Sequence, residues 1–127
     1  MTIALWCVLI AGMMSPLTGL LAKSGKVDGK RYDNNHPRQW LAKLEGRPAR
    51  AVAAMNNSFE SFPLFAAAVI IAHIGGAAQE TVNMLAMGYI AVRVLYTAFY
   101  LMNLGALRSA TWGAGVAIVV ALFCIVP

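Results

Sequence analysis

Glu60 and Arg93 are ionisable residues set inside stretches that otherwise read as lipid-buried helix. Charge at membrane depth is costly, so such residues mark a site and need partners. Arg50, Asn57 and Glu60 are separated by seven and then three residues, which places them on one helix face within about 60°. Arg93, Tyr96 and Tyr100 follow at i, i+3 and i+7, again a single stripe. A carboxylate on one helix and a guanidinium on its neighbour neutralise each other, and the arginine fork grips a carboxylate without shedding its charge. Two readings stand at this point. In one, Glu60 and Arg93 clamp two helices together, with Asn56, Asn57, Ser58 and Ser61 as interhelical hydrogen-bonding groups. In the other, the same groups line a polar cavity.

Arg108-Ser109 favours the cavity. These residues stand at the predicted start of the last helix, where free amides and the positive dipole end attract an anion. A thiol brought there meets a cation, a hydroxyl and a positive helix end, which together stabilise the nucleophilic thiolate. The plainer alternative makes Ser109 a helix cap and Arg108 a headgroup anchor. No cysteine of the chain is suitably placed, so a thiol has to arrive with a ligand. Cys7 and Cys124 lie in apolar runs and read as small buried hydrophobes. No Cys/His cluster has ligand spacing, and no metal is expected.

The elements that position these groups follow from hydropathy. Of the 127 residues 60% are hydrophobic and 12% charged, half the charge of a typical soluble domain, which indicates an all-α integral membrane protein. Four spans are predicted, over about 2–22, 48–74, 81–103 and 109–126, as a single four-helix bundle domain without a second domain. Ser15-Pro16 is expected to kink the first span or thin its packing. Eight of the ten Lys/Arg fall between Lys23 and Arg50. Apolar spans flank this basic loop, so the positive-inside rule accounts for it better than nucleic acid does and places 23–47 in the cytoplasm, with both termini outward. Pro37 to Leu44 is expected to form a short interfacial helix with Trp40 at the headgroups. His73 lies at the outer end of span two, where it packs or bonds. Met84, Met87 and Met102 are expected to serve packing, while Tyr32 and His36 lie in the loop, within reach of the cavity mouth.

The pattern Arg50-x6-Asn57-x2-Glu60-x2-Pro63-x-Phe65, then Arg93-x2-Tyr96-x3-Tyr100 and Arg108-Ser109, resembles the MAPEG family, the membrane-associated proteins of eicosanoid and glutathione metabolism. The loop segment Asp33 to Arg38 is similar to short bacterial members, which implies an inner-membrane location. The resemblance implies a homotrimer of four-helix protomers with glutathione, as co-substrate, between neighbouring subunits near the cytoplasmic side. It places Asn57 and Glu60 at glutathione-contacting positions, Arg93, Tyr96 and Tyr100 on the span-three stripe, Arg108 and Ser109 beside the thiol, and Trp112 near the ligand. Two departures stand out. Ala53 occupies a position where many members carry a second arginine, leaving Arg50 or Lys23 as substitutes, and the turn from Tyr100 to Arg108 is one residue shorter than in one branch of the family.

Three functions are in contention. The leading one is a glutathione-dependent membrane transferase or peroxidase acting on lipophilic small molecules that partition from the bilayer. In that reading Asn57, Glu60, Arg50, Arg93, Tyr96 and Trp112 bind the tripeptide, Arg93 orients Glu60, and Arg108, Ser109 and Tyr100 serve the thiolate. A second is a catalytically silent, lipid-binding or modulatory relative, suggested by Ala53. A third is a small multidrug exporter, disfavoured because span one holds no carboxylate and Arg93 repels cations.

Overall fold

The computed structural model describes residues 1–127. Helix α1 covers Ile3–Lys23, the short α2 Pro37–Ala42, α3 Gly46–Ile74, α4 Gln79–Leu101 and α5 Gly105–Cys124. There is no sheet; Val27 and Lys30 form an isolated bridge. The four long helices have the length and apolarity to cross a bilayer.

Small residues decide how α1 docks. Its buried positions are Ala4, Cys7, Ala11, Ser15, Thr18, Gly19 and Ala22, stepping by three and four residues apart from the adjacent Thr18 and Gly19, and none carries a large side chain. The opposite face exposes Trp6, Leu9, Ile10, Met13, Leu17 and Leu20. In lipid, apolar bulk drives no helix association, whereas close backbone approach does, so the small stripe faces α3 and the large residues face outward. Ser15 Oγ reinforces the seam by donating to the Met55 carbonyl at 3.1 Å. A β-carbon added at Gly19 would stand 2.9 Å from the Met55 sulfur, so the contact is already tight. Pro16 is absorbed within one continuous α1.

On α3 and α4 the buried residues repeat with a seven-residue period. Ala51, Ser58, Phe65 and Ala72 form one such row on α3, and Val82, Ala86, Tyr89, Arg93 and Tyr96 step by four and three along α4. Arg93 therefore occupies a core position. Phe65 and Tyr89 stack at 3.9 Å between centroids and hold the middle of the bundle. At the end opposite the basic loop, Gln79 Nε2 donates to Asn83 Oδ1, which also accepts the Ala4 amide, while His73 Nδ1 contacts Gln79 Oε1 at 2.8 Å. His73 thus bonds at the periphery, as its position implied.

The turn between α4 and α5 differs from expectation in a way that matters. Asn103 adopts a positive φ of 59°, its amide donates to the Tyr100 carbonyl and that of Leu104 to the Phe99 carbonyl, so α4 closes in a Schellman motif. Gly105 is then free to begin α5, four residues before the expected 109. The Arg108 amide already bonds to the Leu104 carbonyl, and Ser109 does not cap the helix.

Other expectations are corrected by the packing. Trp40 is only 6% exposed and lies in a small cluster with Ala22, Leu44 and Ala51, because α2 folds back on the ends of α1 and α3 and turns the indole into the protein. Tyr32 packs edge-on against it, and Lys23 sits 4.6 Å over the Tyr32 ring. Asp33 holds the Asn35 amide and His36, contacts that keep its carboxyl below the usual carboxylate range. Cys7 is buried, but Cys124 is exposed on the last turn of α5, and both are free thiols. Met84, Met87 and Met102 point away from the core, since none falls on the α4 heptad row.

The small-residue seam makes a prediction. Ala11→Leu is expected to lower stability in detergent by about 1–3 kcal/mol through overpacking, while Leu9→Ala on the exposed face changes it by less than about 0.5 kcal/mol. Thermal unfolding of the two variants checks this.

Candidate functional site

Arg93 is 3% exposed and stands eight residues, about 12 Å, from the end of α4. A guanidinium at that depth must be held, and three groups hold it. Its Nη2 donates to Asn57 Oδ1 at 2.9 Å and to Ser58 Oγ at 3.3 Å, and the guanidinium lies 4.2 Å over the Tyr96 ring. All of these partners are neutral. Nε and Nη1 have no acceptor within the protomer.

The expected ion pair with Glu60 does not form: the only salt bridge in the chain joins His36 and Asp33. Glu60 is exposed on the outer side of α3, because the Asn57 and Ser58 side chains occupy the approach to Arg93. The two charges nonetheless face one space. A cleft of about 260 Å³ between α3, α4 and α5 is lined at one end by Asn57, Glu60, Ser61 and Arg93. Leu64, Val116, Val119 and Val120 line it elsewhere, with Tyr89 and Trp112 also on its wall. One surface thus offers a cation with unused donors, an unpaired carboxylate and an apolar stretch. That combination suits a zwitterionic ligand beside a lipophilic one.

A second arrangement extends toward the α4–α5 turn. Tyr96 meets Tyr100 edge-on at 5.8 Å, and the Arg108 guanidinium lies 4.4 Å over the Tyr100 ring. Arg93, Tyr96, Tyr100 and Arg108 therefore form a ladder of cation, ring, ring and cation along one side of α4. Trp112, half exposed and one turn beyond Arg108 on α5, links the ladder's helix to the cleft.

Of the residues singled out from sequence, Asn57, Glu60, Arg93 and Trp112 share the cleft, and Tyr96, Tyr100 and Arg108 build the ladder. Two lie elsewhere. Arg50 donates from Nε and Nη2 to the Leu101 carbonyl at 3.3 and 3.2 Å, satisfying an orphan carbonyl at the α4 terminus, and Ser109 is exposed. Lys23, over Tyr32, and the loop residue His36 are also remote from the cleft lining. Tyr89 was not anticipated. Its signal is its place four residues before Arg93 on the α4 core row, with Phe65 stacked beneath it.

Comparison with known proteins agrees with the motif. No curated protein and no solved structure matched the chain. The family model described as MAPEG matches residues 3–126, nearly the full length. This four-helix, multi-pass integral membrane protein belongs to the MAPEG family.

Proposed function

We propose that the protein is a glutathione-dependent membrane transferase or peroxidase acting on lipophilic electrophiles drawn from the bilayer. The observation that carries this reading is Arg93: a buried cation with neutral partners only and two unspent nitrogen donors, lining a cleft that also presents the unpaired Glu60. The γ-glutamyl end of glutathione carries a carboxylate and an ammonium on one carbon. Arg93 takes the carboxylate and Glu60 the ammonium, with Asn57 fixing the guanidinium. This revises the part played by Glu60, which meets the ligand in place of Arg93.

The thiol end reaches toward the ladder. There Arg108, steadied on the Tyr100 ring, supplies positive charge that favours the thiolate, and Tyr100 offers a hydroxyl donor. In a transfer reaction the thiolate sulfur forms a bond to the electrophilic carbon as that carbon's bond to the leaving group breaks, and the leaving group departs with the bonding electron pair. The aliphatic stretch near Val116 and Val120 takes the apolar body of that substrate.

A homotrimer completes the site in this reading. A cleft of about 260 Å³ falls just below the roughly 300–1,000 Å³ usual for small-molecule sites. Its outer side leaves Glu60 exposed and Trp112 half exposed, and a neighbouring copy closing that side would enlarge the pocket and shelter the carboxylate from lipid. In this reading the charge asymmetry puts the basic 23–47 loop in the cytoplasm, and the likeness of Asp33 to Arg38 to short bacterial members puts the protein in an inner membrane.

One observation favours the silent, lipid-binding alternative: Ser109 is exposed and apart from the cleft, so the thiolate depends on Arg108 and Tyr100.

Two measurements decide. In detergent, isothermal calorimetry is expected to show glutathione binding that Arg93→Leu weakens by about thirty-fold or more, the loss of a buried charge partner, while Arg93→Lys recovers only part of it. Absence of binding at millimolar glutathione would sink the reading. Separately, the ultraviolet absorbance of a thiolate should appear on binding and be lost in Arg108→Ala. Binding without that absorbance in the unsubstituted protein assigns the silent alternative.

A further inference from the structure

The connection from α1 to α3 carries a second cleft, about 390 Å³, that shares no residue with the one between α3, α4 and α5. It is built from ordered backbone. Val27 and Lys30 bond to each other in both directions at 3.0 and 2.9 Å, around a turn in which Asp28 and Gly29 take positive φ of 50° and 73°. Asp33 closes a further turn through the Asn35 amide, and α2 begins at Pro37. The wall is anchored by Trp40, which packs into the Ala22–Leu44–Ala51 cluster.

Three cations line this cleft: Lys30, Arg31 and Lys43. None has a carboxylate partner, since the only ion pair in the chain is His36 with Asp33. Two carboxylates are also present, but Asp33 is already engaged and Asp28 sits on the turn, so positive charge is in excess. Trp40, 6% exposed and part of the lining, holds the one buried side-chain donor without an acceptor, its Nε1. The connection joins the ends of two membrane-crossing helices, which sets the cleft at headgroup level.

We infer that this cleft seats the phosphate of an anionic phospholipid headgroup, held by Lys30, Arg31 and Lys43 with Trp40 beside it. Excess cations in a preformed hollow favour a phosphodiester over the zwitterionic headgroups, whose own ammonium would meet like charge. A soluble phosphate ester carries the same chemistry; the membrane-level position favours the lipid.

Native mass spectrometry of the full chain in neutral detergent, offered equal phosphatidylglycerol, phosphatidylethanolamine and phosphatidylcholine, tests this. The phosphatidylglycerol adduct is expected to dominate. Lys30→Gln, Arg31→Gln and Lys43→Gln together should cut it at least about five-fold. Lys26→Gln, Arg38→Gln and Arg47→Gln remove the same charge from nearby positions outside the cleft and should leave it. Unfolding curves confirm that both triple variants fold. Trp40→Phe, which keeps the packing ring and loses the N–H, should weaken the adduct. Equal losses in the two triple variants would mean diffuse attraction and overturn the site, as would a preference for phosphatidylethanolamine. Displacement of the lipid by millimolar glycerol phosphate would overturn the lipid as occupant; persistence of the adduct supports it.

Discussion

Arg93 in the core row of α4 is the constraint on which the site depends. A guanidinium buried among helices tolerates no loose surroundings, so Asn57, Ser58 and Tyr96 are each committed to holding it. Because those partners are neutral, the net charge stays uncompensated within the protomer. The cost is therefore carried into the cleft, where an anionic group would relieve it. Glu60, left exposed on the same cleft, carries the opposite imbalance. Two separated charges of opposite sign in one apolar-walled space recognise a zwitterion better than a closed ion pair would, since a closed pair has nothing left to offer.

The rest of the bundle keeps this arrangement in register. Small residues along α1 let it lie close to α3, and the Ser15 to Met55 bond fixes their relative slide one turn from Asn57 and Ser58. The Phe65–Tyr89 stack sets the spacing of α3 and α4 directly beside the cleft. Arg50, by capping the Leu101 carbonyl, ties α3 to the end of α4 and so steadies the turn from which Arg108 reaches Tyr100. Packing on one side thus sets the chemistry available on the other.

Much of this was legible in the residues. Four long apolar runs, the basic loop and the Asn-x2-Glu and Arg-x2-Tyr-x3-Tyr stripes located the helices and most of the residues that line the candidate cleft and ladder. What escaped is instructive. Helical spacing puts Glu60 and Asn57 on one face, but it does not say which of them takes Arg93; the deeper, shorter amide did. The last span was expected to begin at 109, yet Asn103 took the left-handed position, shifting the start of α5 and removing Ser109 from the cap. Trp40 matched a headgroup anchor by type, while the fold of α2 onto two helix ends buried it. For Glu60 and Trp40 a tertiary contact chose the outcome; for the α4–α5 turn the local Schellman motif did.

The central claim is that the unspent Arg93 donors receive a ligand carboxylate. The direct measurement is the ¹⁵N side-chain NMR signal of Arg93, assigned through Arg93→Lys, during titration with glutathione in detergent or nanodiscs. The account predicts a saturable shift of the Arg93 Nε–H resonance that follows the binding curve and is absent with an analogue whose carboxylates are blocked. Glutathione binding that leaves this resonance unmoved would contradict it.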